Sequence, residues 1–488
     1  PVLQQVEHFN SPSETQNDSF KAVSRYFDRI TRPEQILSSL PQAINMMLDP
    51  ADCGPAVISM SQDVQGEAYD YPEVFFEEKI HTIRRIHPDP SQIKLASEKL
   101  KKSKQPIIIS GGGVLYSEAE EEISNFAKKH NIPVTATVMG IGCMNKDDPY
   151  YISAIGCLGD GSSNNLSRQA DLALAVGTKL SDFTTGSWTN FQNEDFQLVS
   201  LNTSRFDTTK HKATPVVSDA KVGLKELSNA LGDWKAPDDW YNKAVQEKKT
   251  WDSYVAKESG PTNQELPSYA HAVGAVYRNA DPSDIVVTAA GGLVGEVVQI
   301  WKPKQLNTFE TEWGFSCMGY EISGALGIKM AKPDQDVIVF VGDGSYLLQN
   351  SDIYSSVIYN KKLIIVVCDN GGHMVINRLQ LAKGGKEYLC NLRSARASNV
   401  QFVDFEAHAK SMGANGETVK SISELEAAFK RAKGSDKTYV ISILTHGYEW
   451  LEGSAFWESP TLEVHSTDGN KKAYEEFVEG KNKQRKGV

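Results

Sequence analysis

The sequence predicts an α/β protein with three doubly wound parallel-sheet domains, the first of them incomplete. Short apolar runs of strand length alternate with helical stretches along most of the chain, which is typical of parallel sheets covered by helices. Two of these runs end in turns that contain acidic or amide side chains, and the stretch between them has the length of one crossover helix. This arrangement is typical of a sheet edge that binds a ligand. The length of 488 residues exceeds what one hydrophobic core supports, so two or three domains are expected.

Changes in residue pattern divide the chain into six ranges. The first contains a helix, a Gly54-Pro55 turn and one short strand, which predicts the carboxy-terminal part of a domain rather than a whole one. A linker, a central α/β domain, a second linker, a site-bearing domain and an irregular tail are expected to follow. These ranges are 1–75, 76–90, 91–235, 236–261, 262–450 and 451–488.

The apolar runs predict the strands of the second and third domains. In the central domain they cover 106–110, 133–137, 172–176 and 198–201. In the site-bearing domain they cover 285–288, 308–310, 337–341, 363–367 and 439–444.

The clearest chemical signal lies in the third domain. The run over 337–341 leads into a Gly-Asp-Gly triplet centred on Asp343, and the run over 363–367 leads to Asn370. The stretch from 345 to about 360 has the length of one helix, so the two strand ends are expected to lie side by side. Mg²⁺ prefers oxygen ligands and accompanies phosphates. The pattern therefore predicts a metal-bound diphosphate at this edge of the sheet.

A second Gly-Asp-Gly triplet provides a control within the same chain. It is centred on Asp160, and no comparable apolar run leads straight into it. The triplet alone is a common tight turn, since Gly tolerates positive φ and Asp bonds to the local backbone. Spacing, rather than the triplet itself, therefore carries the prediction of a metal site.

These residues resemble the signature of the thiamine-diphosphate enzymes, in the branch that is similar to acetolactate synthase. The resemblance implies that Asp343, Asn370 and the backbone carbonyl of Gly372 ligate Mg²⁺. It also implies that Met318 lies under the two rings of the cofactor and bends it; by spacing alone, Met318 would be an ordinary core methionine. The remaining residues that the resemblance assigns to cofactor binding are Gly291, Gly292, Gly342, Gly344 and Ser345. For the pair Gly291 and Gly292, a plain loop without ligand contact stays an alternative.

The acid–base residues are less well defined. His373 follows the metal loop and is the candidate for proton transfer near the reacting carbon, with a loop histidine facing away as the alternative. Glu312 and Glu321 are weaker candidates. The family uses a glutamate early in its first domain to activate the cofactor, and the resemblance places that residue before Pro1. A chain that lacks it is expected to be inactive alone.

The chain also resembles a branch of this family that acts in inositol breakdown. Enzymes of that branch open a cyclic polyol dione by carbon–carbon cleavage and give 5-deoxy-glucuronate. It is carried by the segments 62–72, 312–322 and 376–380. The resemblance also implies a homodimer or homotetramer with the active site between subunits. The alternatives are a decarboxylase or carboligase like acetolactate synthase, and a catalytically incomplete fragment of either enzyme.

Other classes of ligand and function fit the sequence poorly. The net charge of −11, without a long basic cluster, disfavours nucleic acid. No apolar run approaches the ~18–20 residues that span a bilayer. The six cysteines form no CxxC pair, which disfavours zinc and favours the cytoplasm. No G-x-S-x-G elbow of a serine hydrolase occurs.

The central domain carries a glycine run that suggests a dinucleotide such as NAD as an alternative ligand. Gly111, Gly112 and Gly113 follow its first strand, but the third glycine of the dinucleotide fingerprint would fall at Tyr116. A tight turn between strand and helix is therefore the favoured interpretation.

Overall fold

The computed structural model describes residues 7–8, 10–394 and 401–485 of the chain. In this part, strands form two six-stranded parallel sheets and two small two-stranded sheets. Helices connect successive strands of the large sheets, so the predicted α/β class is confirmed. Residues 1–6 and 9 of the first predicted range, and 486–488 of the last, lie outside the described residues.

The first range holds two small sheets and one long helix. Strands β1 (Glu7–His8) and β2 (Ser11–Thr15) pair antiparallel. Strands β3 (Tyr26–Ile30) and β4 (Ala56–Met60) pair in parallel, and helix α1 (Ile36–Met47) lies between them along the chain. Strand β4 is expected from the sequence, whereas β3 is not. Helix α2 covers Gln62–Gln65.

The central sheet has the order β10-β9-β8-β5-β6-β7 and is parallel throughout. Its central strands are buried at every position because helices cover both faces. The strands are β5 Pro106–Ser110, β6 Val134–Ala136, β7 Tyr151–Ala154, β8 Leu172–Val176, β9 Gln197–Asn202 and β10 Thr214–Val217. The helices are α3 Pro90–Lys102, α4 Gly112–Tyr116, α5 Glu120–His130, α6 Gly161–Gln169, α7 Asp182–Thr185, α8 Arg205–Thr209 and α9 Ala220–Leu231.

The second predicted linker is mostly helix. Residues Asp238–Glu258 form the 21-residue helix α10, which packs against α6. The buried Trp240 donates its indole N–H to the Pro106 carbonyl at 2.8 Å. The contact face of the helix is small, because only Trp240, Ala244 and Val255 are buried. By contrast, the first predicted linker has no helix or strand between residues 77 and 89.

The third sheet has the order β12-β11-β13-β14-β16-β15 and is also parallel. Strand β11 has β12 on one side and β13 on the other, so the strand order reverses at β11 and β13. Ligands commonly bind at such a topological switch point. The strands are β11 Ile285–Thr288, β12 Phe309–Thr311, β13 Val337–Gly342, β14 Ile364–Asp369, β15 Asn415–Val419 and β16 Tyr439–Leu444.

Two expectations about helices, one in this domain and one in the range that follows it, were wrong. The stretch from 345 to 360 is two helices, because the backbone leaves the helical conformation at Gln349. The range 451–488 is irregular only up to residue 467, since a helix follows. The helices are α11 Tyr269–Asn279, α12 Leu293–Ile300, α13 Tyr320–Ala331, α14 Asp343–Leu348, α15 Ser351–Ile358, α16 Met374–Ala382, α17 Phe405–Ser411, α18 Ile422–Lys433 and α19 Asp468–Asn482.

The carboxy-terminal segment packs across both large domains. Trp450 lies over Gly292 of the third domain, and Asn164 of the central domain donates its side-chain amide to the Gly453 carbonyl at 2.8 Å. Farther on, Arg485 donates to the carbonyls of Asn193 and Phe196. Among the helices of the described residues, none combines the length and the apolar character that a membrane span requires.

Candidate active site

Three strand ends of the third sheet bring the predicted site together. In the register of β13 and β14, Gly342 pairs with Cys368, so Asp343 and Asp369 emerge side by side. Strand β11 pairs with β13 on the other side and leads to Gly291 and Gly292. The expectation that these strand ends share one edge is therefore confirmed.

Two buried carboxyl groups face each other at this edge. Burial and, to a smaller extent, the negative charge of Asp369 raise the pKa of Asp343 to about 7, against the opposing effect of the Gly372 N–H. Burial also raises the pKa of Asp369, which bonds to Asp343 and accepts the Gly371 N–H at 2.9 Å. Two carboxylates in a buried site repel each other unless a proton or a cation lies between them. The pair therefore fits a divalent cation.

Asn370 supplies an oxygen that no group of the described chain uses. Its Oδ1 is buried and has no hydrogen-bond partner, whereas its Nδ2 donates to the Tyr269 hydroxyl at 2.6 Å. A buried polar atom without a partner is rare and needs a reason. With Asp343 and Asp369 beside it, this oxygen has the chemistry that Mg²⁺ prefers.

Gly372 must be glycine for two reasons. Its φ is +139°, which other residues rarely adopt, and a Cβ there would lie 2.3 Å from the Cys390 carbonyl oxygen. The N–H of Gly372 bonds to the Asp343 carboxyl group. The role of its carbonyl as a metal ligand stays a prediction.

Met318 and His373 converge over the middle of the site. A Cβ on Gly344 would lie 2.7 Å from His373 Cε1 and 3.5 Å from Met318 Cε, so both side chains approach the backbone of the Gly-Asp-Gly turn. Met318 is 37% exposed, which is too much for a core methionine. The His373 ring is also exposed, and it is not turned away from the site. Both are available to a ligand that lies above Gly344.

The two glycines after β11 differ in their surroundings. A Cβ on Gly292 would lie 2.1 Å from the Trp450 ring, so Gly292 is explained by packing. Gly291 is exposed, and a Cβ there would meet no atom within 4 Å. Gly291 is therefore the one of the pair that is open to a ligand.

Glu312 shapes the loop that carries Met318. One of its carboxylate oxygens accepts the Phe315 N–H at 2.8 Å, and the other accepts the Cys317 N–H at 2.6 Å. Burial works to raise the pKa of Glu312, but these N–H groups outweigh it, and the pKa is lowered. A carboxylate held this way is a poor proton donor, which weakens Glu312 as an acid.

Sequence reasoning missed two residues of this site. Asp369 directly precedes Asn370 at the end of a buried strand, so its position could have been noticed. Tyr269 lies 101 residues away from Asn370 along the chain, and nothing in the sequence around it indicates the contact. Only the packing of α11 against the sheet places its hydroxyl there.

The glycine run of the central domain is explained by packing. A Cβ on Gly111 would lie 2.3 Å from the Gly177 carbonyl oxygen, and one on Gly113 would lie 2.6 Å from Gly177 Cα. A cavity of about 810 Å³ lies at this sheet edge, lined in part by Gly113, Gly177 and Arg85. Arg85 is already paired with Asp219 at 3.0 Å. This packing accounts for the run without a dinucleotide.

Comparisons with known proteins agree with this arrangement. Residues 93–227 match the family model described as thiamine pyrophosphate enzyme, central domain. Residues 289–443 match the model described as thiamine pyrophosphate enzyme, C-terminal TPP binding domain. Thiamine pyrophosphate is another name for thiamine diphosphate. The second match contains Gly291, Gly292, Asp343 and Asn370.

The chain is also similar to curated proteins over nearly its whole length. It is 38% identical to the 3D-(3,5/4)-trihydroxycyclohexane-1,2-dione hydrolase of Halalkalibacterium halodurans, over 97% of this chain and 78% of that protein. Identity to the proteins of the same name from Bacillus licheniformis and Bacillus subtilis is 37% and 35%, with the same coverage.

Proposed function

Because the chain belongs to the thiamine-pyrophosphate enzyme family that contains the 3D-(3,5/4)-trihydroxycyclohexane-1,2-dione hydrolases, we propose that it hydrolyses a carbon–carbon bond of that cyclic dione. Water is added across one bond of the ring, which opens to 5-deoxy-glucuronate. The observation that carries the proposal is the site at Asp343 and Asn370, in a chain that is similar to these hydrolases over 97% of its own length. The expected cofactors are thiamine diphosphate and Mg²⁺.

The residues at the three strand ends would hold these cofactors. Asp343, Asn370 and the Gly372 carbonyl are proposed as Mg²⁺ ligands, and Asp369 contributes negative charge beside them. The backbone at Gly342, Gly344 and Ser345 would face the diphosphate. Support comes from the unpartnered Asn370 oxygen and from the repulsion between the two carboxylates, which a cation relieves.

The chain's own side chains have separate tasks in the reaction. When bound, the cofactor would supply a nucleophilic carbon for the substrate carbonyl and a store for the electrons of the broken bond. Met318 would support the rings of the cofactor. His373 is assigned the proton transfers to and from the substrate oxygens, because its ring lies on the same side of Gly344 as Met318.

We further propose a homodimer or homotetramer with the active site between subunits. Large apolar side chains are exposed on the same domain as Met318: Phe315 is 92% exposed, Leu348 62% and Tyr354 55%. Exposed apolar groups in such number mark an interaction surface. Light scattering should give at least twice the mass of 53.8 kDa, and a monomer at all concentrations would overturn this proposal.

A cytoplasmic location is proposed on the chemistry of the cysteines. All six are free in the structure. Unpaired thiols are typical of a reducing compartment. Thiol titration of the unfolded protein without reductant should detect six groups, and fewer would argue against this location.

The test of the activity is an assay of the purified protein with Mg²⁺ and thiamine diphosphate. We expect consumption of the cyclic dione with formation of 5-deoxy-glucuronate, and no activity in the Asp343→Asn variant. Acetolactate formed from pyruvate alone would overturn the proposal in favour of a carboligase. Tight cofactor binding without turnover of either substrate would favour a catalytically incomplete chain.

A further inference from the structure

Glu321 is a fully buried carboxylate beside the active site. It is the second residue of α13, and its exposed fraction is 0%. Burial raises its pKa, and the opposing influences are hydrogen-bond donors: its own N–H, those of Ala290 and Gly319, and the side chain of Ser345. The amino end of α13 adds a favourable dipole. These donors offset only part of the effect of burial on the Glu321 carboxyl group.

These donors come from three different segments of the site. Glu321 Oε1 accepts the N–H of Ala290, which directly precedes Gly291. Glu321 Oε2 accepts the N–H of Gly319, which directly follows Met318, at 2.8 Å. Ser345 lies two residues after Asp343. One carboxyl group therefore joins the end of β11, the Met318 loop and the Gly-Asp-Gly turn.

This arrangement is costly for folding, which argues for a role beyond stability. A carboxylate removed from water loses its hydration, and hydrogen bonds recover only part of that free energy. A glutamine of the same shape could accept one of the two backbone N–H groups but would turn its own NH₂ against the other. Only a carboxylate has two acceptor oxygens that can hold both backbone segments at once.

We propose that Glu321 is a positioning residue that fixes the distance between Met318 and the Asp343 turn. Neither oxygen needs to touch the cofactor. The carboxylate holds the loop that supports the rings and the turn that binds the metal in one geometry before the cofactor arrives. Preorganisation of this kind raises affinity because less order is lost on binding. The identity of the ligand rests on the proposed function.

The experiment compares Glu321→Gln with Asp284→Asn in the full chain. Asp284 is also a buried carboxylate, but it lies at the opposite end of β11 and accepts from Lys433 at 2.6 Å. Both variants lose a buried charge, and only Glu321 joins the three segments. Calorimetry with Mg²⁺ and thiamine diphosphate, well below each melting temperature, should show about 10- to 100-fold weaker binding for Glu321→Gln only.

Hydrogen exchange of the cofactor-free protein provides a readout that does not depend on the ligand. Glu321→Gln should speed exchange together at residues 289–292, 314–320 and 343–348, and Asp284→Asn should not. Unchanged exchange in these segments, or wild-type affinity of Glu321→Gln, would overturn the inference while leaving the proposed function intact. If the unsubstituted protein does not bind thiamine diphosphate at all, this result contradicts the proposed function. The role of Glu321 in cofactor binding is then contradicted as well.

Discussion

The two Gly-Asp-Gly triplets of this chain have opposite electrostatic surroundings. Asp160 caps helix α6: its Oδ1 accepts the Ser163 N–H at 3.0 Å and the Ser162 hydroxyl at 2.7 Å. Burial lowers the pKa of the Lys248 ammonium, and Asp160 is one of the carboxylates that oppose that shift, so a cation lies within electrostatic reach. Asp343 instead faces the carboxyl group of Asp369.

The groups that surround each aspartate determine its role. Asp160 caps a helix and has an ammonium group within electrostatic reach, although its Oδ2 is also buried without a hydrogen-bond partner. Asp343 meets a second carboxylate and an unpartnered amide oxygen, so a proton or a cation must offset the repulsion between the two carboxylates. The triplet brings an aspartate to a turn, and the adjacent strand end determines what that aspartate binds.

The largest expected effect is the loss of cofactor binding in Asp343→Asn. The substitution removes a proposed metal ligand. Mg²⁺-dependent binding of thiamine diphosphate should therefore weaken more than roughly 100-fold, which is the upper limit for changes in residues that only contact a metal ligand. Calorimetric titration measures this. The metal-free variant should melt no lower than the unsubstituted protein at about pH 8, because a buried repulsion is removed. Binding within about tenfold of the unsubstituted protein would place the metal elsewhere.

Tyr269→Phe should give the next largest effect. Without the hydroxyl that accepts from Asn370 Nδ2, the Asn370 amide is free to rotate and its oxygen no longer faces the metal site. We expect Mg²⁺ affinity to fall about 10- to 100-fold.

A matched control for Tyr269→Phe lies on the same helix. Tyr277 donates its hydroxyl to the Lys302 carbonyl at 2.9 Å, away from the site. Tyr277→Phe should lower the melting temperature without changing Mg²⁺ affinity. Equal affinities for the two variants would show that the Tyr269 hydroxyl does not orient Asn370.

Mg²⁺ binding should depend on pH through Asp343. Its pKa is raised to about 7, so below pH 7 the metal must displace a proton, and affinity should rise roughly tenfold per pH unit up to that value and then level off. Without metal, the stability of the fold should change with pH in the opposite direction. In the unfolded chain Asp343 loses its proton near the ordinary aspartate pKa of 3.8, so only the folded chain holds the proton above that pH, and stability falls as pH rises toward about 7.

Variants distinguish this titration from others in the protein. Asp160→Asn should keep the pH dependence of Mg²⁺ affinity, whereas any residual binding by Asp343→Asn should be flat between about pH 6 and 8. The measurement is calorimetry in buffers of different ionisation enthalpy, which also counts the released protons. The absence of proton release at about pH 6 would contradict the raised pKa.

The smallest effect is expected at the second triplet. Asp160→Ala removes the cap of α6, which should cost about 1 kcal/mol. For a domain of this size, that corresponds to a fall of roughly 2–4 °C in melting temperature. Affinity for Mg²⁺ and thiamine diphosphate should not change. A loss of cofactor affinity in this variant would show that the two triplets do not have the separate roles assigned here.

Much of the fold was predictable because each buried parallel strand is a continuous apolar run. The predicted strands of both large domains match observed ones to within two residues at each end. Two missed strands do not stand out in the sequence, because Tyr151–Ala154 is only four residues long and Asn415–Val419 has a single apolar residue. The helix Asp238–Glu258 falls within a predicted linker because its contact face is small.

The sequence alone determined that Asp343 and Asn370 lie at neighbouring strand ends, since the period and length of a βαβ unit leave few other arrangements. It also determined that Asp160 lacks such a partner. The contacts around Asp343 and Asn370 depend on tertiary packing, which brings the Asp369 carboxyl group to Asp343, the Tyr269 hydroxyl to Asn370 and Glu321 to the Met318 loop. Local pattern fixes where a strand ends, whereas the donors and acceptors that meet there come from distant parts of the chain.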